Sequence, residues 1–277
     1  MNMVATITWL TFQEARRRRM VLIALVLGVL FLLLFTLGFA LIDRELHADE
    51  VPEVMRRNFY NFLLMAGLYV VHFLTIMIAI LASVDTVSGE ITSHTIQTIA
   101  IRPLRRWQII MGKWFGFAAM MVLYLGLLAG GMLLIVYGRT GYVPPNPLQG
   151  MALLVLEALV LIALSLLGGT QLSTMTNGVA LFMLYGLAFI GAWVEQIGSL
   201  LQSGAAVRVG IITSLLMPVE ALWRRTSYLM QPTLVQELGA TPFVTSSVPS
   251  PAMVVYTVAY AGVALALAIV CFSRRDL

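Results

Sequence analysis

Apolar residues in this chain come in long blocks, without the two-residue alternation of a half-buried strand. Six runs, at 20–42, 59–84, 114–137, 151–172, 178–200 and 252–272, are long enough to cross a hydrocarbon core, which takes about 20 residues of helix. Lipid offers an open sheet edge no hydrogen-bond partner, so runs of this kind predict helices. Alternating segments of about ten residues, the mark of a membrane barrel, are not seen. The expected fold is an all-α polytopic membrane protein of six spans, with 1–277 forming a single transmembrane domain.

Two regions break the block pattern. Residues 3–19, "MVATITWLTFQEARRRR", interleave Val4, Ile7, Trp9, Leu10 and Phe12 with Thr, Gln and Arg. That mixture predicts a short helix lying in the membrane interface; a helical extension of the first span is the alternative. The segment 201–251 begins apolar but is broken by Pro218, Glu220, Arg224 and Arg225, and it ends in a proline-punctuated loop. External or re-entrant helices packed on the bundle are expected there. A seventh span would instead carry Arg274 and Arg275 to the far side.

Composition agrees. The chain is 60% hydrophobic and 11% charged, with a mean hydropathy of +0.93, whereas soluble domains carry about 25% charged residues. A net charge of +4 raises the question of nucleic acid. The basic residues cluster beside apolar runs, however, so lipid is the expected partner and nucleic acid is not. Arg16, Arg17, Arg18 and Arg19, then Arg102, Arg105, Arg106 and Lys113, then Arg274 and Arg275 all fall on one side of a six-span chain. The first loop of the other side, 43–58, sets Arg44, Arg56 and Arg57 against Asp43, Glu45, Asp49, Glu50 and Glu53. The positive-inside rule then places both termini in the cytoplasm, and a prokaryotic plasma membrane is the expected location. The 20–42 run is too long for a signal h-region and no A-x-A site follows it, so the first helix is expected to be retained. Lone Cys271 excludes an intrachain disulfide.

Catalytic motifs are missing. "IIMGKW" contains Gly112-Lys113, but Trp107 stands at the first P-loop glycine and Trp114 replaces the Ser/Thr. No H-E-x-x-H, G-x-S-x-G or Cys/His ligand set occurs. The chain is therefore not expected to be an enzyme or to hold a cofactor. Glu90 and His94, with Asp85, have a spacing that would suit metal ligands; helix-end capping is the plainer reading.

The polar stretch "SGEITSHTIQTIAIRPLRRWQIIMGKW" separates spans two and three. Ser93 or Thr95 is placed to cap a short helix, and Arg102-Pro103 to stop it. That helix would present Ile96, Ile99 and Ala100. The next helix would begin with Arg105, Arg106 and Lys113 at headgroup level and Trp107 and Trp114 as interface anchors. A solvated loop that only sets topology is the alternative.

In this stretch Gly89-Glu90, Thr95, Arg102-Pro103-Leu104 with Arg105 and Arg106, and Gly112-Lys113 resemble the signature of type-two ABC exporter permeases. The family pattern is roughly G-E-x-x-x-G-T-(apolar)-x-R-P-(φ)-x-R-(x)-G-K. His94 departs from it where glycine is common. The N-terminal interface helix, the six spans and the ending Phe272-Ser273-Arg274-Arg275-Asp276-Leu277 are also similar to that family, which includes multidrug and copper-processing permeases.

The resemblance implies a transmembrane subunit that forms a homo- or heterodimer with a second permease protomer and docks on two ABC ATPase subunits. ATP and Mg2+ would sit on that partner ATPase. The coupling segment, 85–113, would carry Glu90, Thr95, Ile96, Ile99, Arg102, Pro103, Arg105, Arg106, Gly112 and Lys113, aided by the interface helix 1–19. A dimer seam near spans one and five is also implied. The implied activity is ATP-driven export; the alternative is a mechanotransmitter that drives an external partner protein without moving a substrate. An intramembrane enzyme lacks its catalytic constellation here.

Ionisable groups inside spans are costly and often functional. Glu157, about 9 Å into span four by helical rise, and His72, near the middle of span two, are candidates for the translocation path. Their plainer reading is a polar group bonded to a neighbouring helix. Gly112 with Gly116, and Gly126 with Gly130, place small residues four apart, as close helix approach requires. The turn with Gln171, Ser173, Thr174, Thr176 and Asn177 is polar but uncharged. Spans this poor in charge lean towards lipids, hydrophobic peptides or drugs over bare ions as cargo.

Overall fold

The computed structural model describes residues 3–49, 51–92, 105–238 and 243–274, and among these the regular structure is helical. Arg18 sets the first boundary. Its extended backbone (φ −69°, ψ 129°) separates α1 (Met3–Arg17) from α2 (Arg19–Ala48). α1 is thus a distinct helix and not an extension of the first span.

Beyond α2, α3 (Glu53–Ser83) runs through a helical Val84 into α4 (Asp85–Thr92). α5 (Arg106–Leu125) passes through a π-helical turn at Gly126–Gly130 into α6 (Gly131–Thr140). α6 ends on Gly141 at φ +65°, whose N–H bonds the Tyr137 carbonyl at 2.8 Å. This left-handed cap favours glycine because a Cβ would clash there. α7 (Pro147–Gly169) opens with proline at its first turn, where no N–H is needed. α8 (Thr174–Leu200) is capped by the Ser173 hydroxyl, which accepts the Thr176 N–H.

Six helices are long and apolar enough to cross a membrane: Arg19–Ala48, Glu53–Gly89, Arg106–Thr140, Pro147–Gly169, Thr174–Leu200 and Pro251–Ser273, the last being α12. These overlap the six sequence runs. α7 forms the centre, with Ala158, Val160, Leu161, Ile162, Ala163 and Leu166 fully buried. By contrast, α2 exposes Leu30, Leu33, Leu34 and Leu37 along its length.

Between α8 and α12 the chain forms α9 (Gly204–Leu216), α10 (Val219–Met230) and α11 (Thr233–Leu238). α9 and α10 bend by 107° at Met217 and Pro218. α9 runs antiparallel down α8: Gly198 lies against Ala206, Glu195 against Gly210 and Gly191 against Thr213. α10 then climbs back, with Glu220 beside Tyr185, Arg224 beside Glu195, and Met230 against Gly150 near the start of α7. Both ends of the pair therefore lie on the same side. This is a re-entrant hairpin and not a seventh span. Tyr256 and Tyr260 of α12 donate to the carbonyls of Leu215 and Leu216 at 2.6 and 2.8 Å. They satisfy acceptors that the bend leaves without helical partners.

Candidate functional site

Two polar assemblies stand out, one at the face carrying the termini and one in the middle of the bundle. At the terminal face α1 lies on α5 because Gly112 and Gly116 have no side chains. A Cβ on Gly112 would come within 2.6 Å of the Ile7 Cβ, and one on Gly116 within 2.7 Å of the Thr11 Cβ. The first small-residue pair thus seats the N-terminal helix. The second does not mark a close approach: a Cβ on Gly126 would meet no other element within 4 Å, and one on Gly130 would meet only Met151 at 3.8 Å.

Lys113 is corrected by the structure. It was expected at headgroup level but is buried, and its Nζ donates to the Thr86 carbonyl on α4 at 3.0 Å. That bond joins α4 to α5, the two helices between which 93–104 is strung. Trp114 is half-buried, its indole N–H on the Leu159 carbonyl, while Trp107 is 42% exposed and free to meet an interface. Arg106 donates to the carbonyls of Phe272 and Ser273 at the end of α12. Arg105 is exposed and immediately precedes α5, its backbone N–H bonded to the Gln108 side chain. Asp85 accepts from Thr174 at 3.1 Å and faces Arg18 at 3.6 Å, and Thr174 shares a bond with Ser88. The α1–α2 joint, α4 and α8 are thereby linked. The side chain of Glu90, and Thr95, Ile96, Ile99, Arg102 and Pro103 with His94, lie outside the described residues. Among the described residues no group of three acids, histidines or cysteines is arranged to hold a metal.

The second assembly joins the middles of α3, α7 and α8 to the first turn of α10. His72 Nδ1 lies 2.8 Å from Glu157 Oε2, and His72 Nε2 lies 3.3 Å from Glu220 Oε1. The Tyr185 hydroxyl donates to the same Glu220 oxygen at 2.8 Å. His72 and Glu157 are fully buried and Glu220 is 4% exposed. Both ring nitrogens face carboxylate oxygens, which only accept when ionised. The trio therefore carries at least one proton beyond a neutral imidazole and two carboxylates. Trp223 stacks on the imidazole with centroids 4.9 Å apart. The helix begins four residues before the apolar run, so Glu157 sits about 15 Å into it, near mid-span.

One turn further along α10, Arg224 Nη2 donates to Glu195 Oε2 at 2.8 Å and to Ser214 Oγ at 3.2 Å, while Ser247 Oγ donates to Glu195 Oε1 at 2.6 Å. Asn61 ties the far end of the hairpin, donating to the Met230 carbonyl and to the Tyr142 phenol, both at 2.9 Å. Tyr142 lies in the loop after α6, where burial pushes its phenol up to about 12.

The structure thus brings His72 and Glu157 together. Sequence reasoning missed their partners, Glu220 and Tyr185, and missed Arg224–Glu195. Glu220 and Arg224 are four apart, one helical turn, inside an apolar stretch. That spacing was the available signal, because charges there must find partners.

A family profile described as ABC-2 family transporter protein matches residues 5–277. The chain belongs to the ABC-2 transporter family. No curated protein matches it. Family membership and the six apolar helices make it a multi-pass ABC permease subunit. Such a subunit works with an ABC ATPase and usually dimerises.

Proposed function

We propose that this permease couples ATP hydrolysis by separate ABC ATPase subunits to export of a substrate across a prokaryotic plasma membrane, with both termini in the cytoplasm. The Lys113–Thr86 bond carries the reading. It pins together the two helices that flank 93–104, so force applied to that segment reaches spans two and three together. The Asp85 contacts pass the same force to α1, α2 and α8. Arg16, Arg17, Arg18, Arg19, Arg105, Arg106 and Arg274 all lie at this face, which supports a cytoplasmic orientation. ATP and Mg2+ belong to the ATPase, of which two copies dock on a permease dimer. Glu90, Thr95, Ile96, Ile99, Arg102 and Pro103 form the contact, and Lys113 and Gly112 act from behind it. The apolar, exposed lengths of α2 and α8 are the faces open to a second protomer.

The test is a pulldown of the detergent-solubilised chain from its native membrane, with the eluate assayed for ATPase activity. ATPase should co-purify with the wild-type chain and be lost with Ile96→Asp plus Ile99→Asp or with Glu90→Ala. An eluate without ATPase in every mild detergent would overturn the reading.

A further inference from the structure

The first turns of α10, just past the bend of the re-entrant hairpin, border a cavity of about 250 Å3 walled by Tyr69, Trp193, Trp223 and Phe243. The rings gather closely: Tyr69 is 5.4 Å from Trp223 and 5.9 Å from Phe243, centroid to centroid. Two charged residues complete the wall, Glu220 and Arg224. They are not equally available. Both Nη atoms of Arg224 are committed, to Glu195, Ser214 and the Ser247 carbonyl, and only its buried Nε has no partner among the described residues. Both hydrogen bonds to Glu220 among the described residues end on Oε1, which leaves Oε2 for the cavity. The neighbouring Arg225 is held by the Pro249 carbonyl and does not line the space.

The local charge is unbalanced. Three buried carboxylates, Glu157, Glu195 and Glu220, face one buried guanidinium and one imidazole. With all three carboxylates ionised and the imidazole protonated, the group is one positive charge short, a gap that a bound cation or one more proton would close. Glu157 Oε1 is itself buried and unpartnered. Unmatched negative charge inside a bundle is costly. A cation arriving in the cavity would meet both a carboxylate and aromatic faces, the combination that recognises quaternary ammonium groups. A cavity of this size lies below the range of about 300–1,000 Å3 usual for drug-sized ligands, which excludes a peptide or a whole lipid. The acids and the imidazole are not arranged to hold a metal ion.

We propose that this cavity binds a small lipophilic organic cation, its positive centre against Glu220 and within reach of Trp223, Tyr69 and Trp193, and that such cations are the cargo class of the permease. Only the cargo half rests on the transport reading above. Trp193 is 48% exposed and gives the cavity an approach from outside the bundle.

The experiment is isothermal titration of the full-length chain in phosphatidylcholine nanodiscs with benzyltriethylammonium, and with benzenesulfonate as the anionic counterpart. The cation should bind saturably and the anion should not. Glu220→Gln and Trp193→Ala should each weaken cation binding roughly ten-fold, as expected for loss of one charge or one ring contact. Trp193 touches the cavity but not the His72 network, so its replacement leaves the fold intact. Absence of saturable cation binding, equal binding of benzenesulfonate, or unchanged affinity in both variants would overturn the site. Cation binding by a chain that recruits no ATPase would keep the site and overturn its role as cargo.

Discussion

His72 and Glu157, 85 residues apart in the sequence, meet at 2.8 Å with neither exposed. The imidazole also reaches Glu220 at the tip of the re-entrant hairpin, so one side chain fixes two helices to α3. Replacing it with alanine leaves two buried carboxylates without their shared donor. His72→Ala should therefore cost about 3–5 kcal/mol, the usual penalty for an uncompensated buried charge. Glu157→Gln keeps an acceptor for the ring and should cost far less. Thermal unfolding of the purified variants in one detergent compares them directly; equal, small shifts would contradict the bond.

Arg224 and Glu195 form the second buried pair, at 2.8 Å. Arg224→Ala should destabilise the hairpin by about 3–5 kcal/mol because Glu195 is then stranded. Combining Arg224→Met with Glu195→Leu removes both charges and should recover most of that loss. A double variant as unstable as the single one would show that the pair itself, and not the stranded charge, holds the hairpin.

Gly116→Ala should lift α1 from α5, since the new Cβ would press on Thr11. The readout is tryptic cleavage at Arg16, Arg17, Arg18 and Arg19 in vesicles that expose the terminal face. Cleavage should quicken for Gly116→Ala and stay unchanged for Gly126→Ala, where the space is open.

Tyr256→Phe together with Tyr260→Phe removes two donors from the bend of the hairpin. Each lost bond should cost about 1 kcal/mol. Hydrogen exchange should speed up at the amides of 213–217 and of Val219 and remain unchanged in α7.

The spans were legible because crossing lipid demands an uninterrupted apolar length, and composition reports length directly. The break at Arg18 was legible only as a change in pattern, which left the extension of span one open until the backbone closed it. Lys113 was misplaced. A lysine at the start of a span normally reaches for headgroups, but here the Thr86 carbonyl on the neighbouring helix lies within its reach. The small-residue spacing at Gly112 and Gly116 was real, yet nothing local said that its partner was the chain's own N-terminal helix. Glu220 read as an interruption of an apolar segment because its partners, His72 and Tyr185, lie on two other helices.

By itself the sequence determined the number of long apolar helices, a separate N-terminal helix, the family and the side on which positive charge collects. Each of these follows from local length, local charge or a contiguous motif. Only the tertiary structure decided that 204–230 turns back within the bundle, that His72, Glu157, Glu220 and Tyr185 share one buried network, and that rings from α3, α8 and α10 enclose a cavity. Those depend on which helix faces which. In lipid every apolar face reads alike, so the choice is made by a few glycines and buried charges whose partners are far away in the chain.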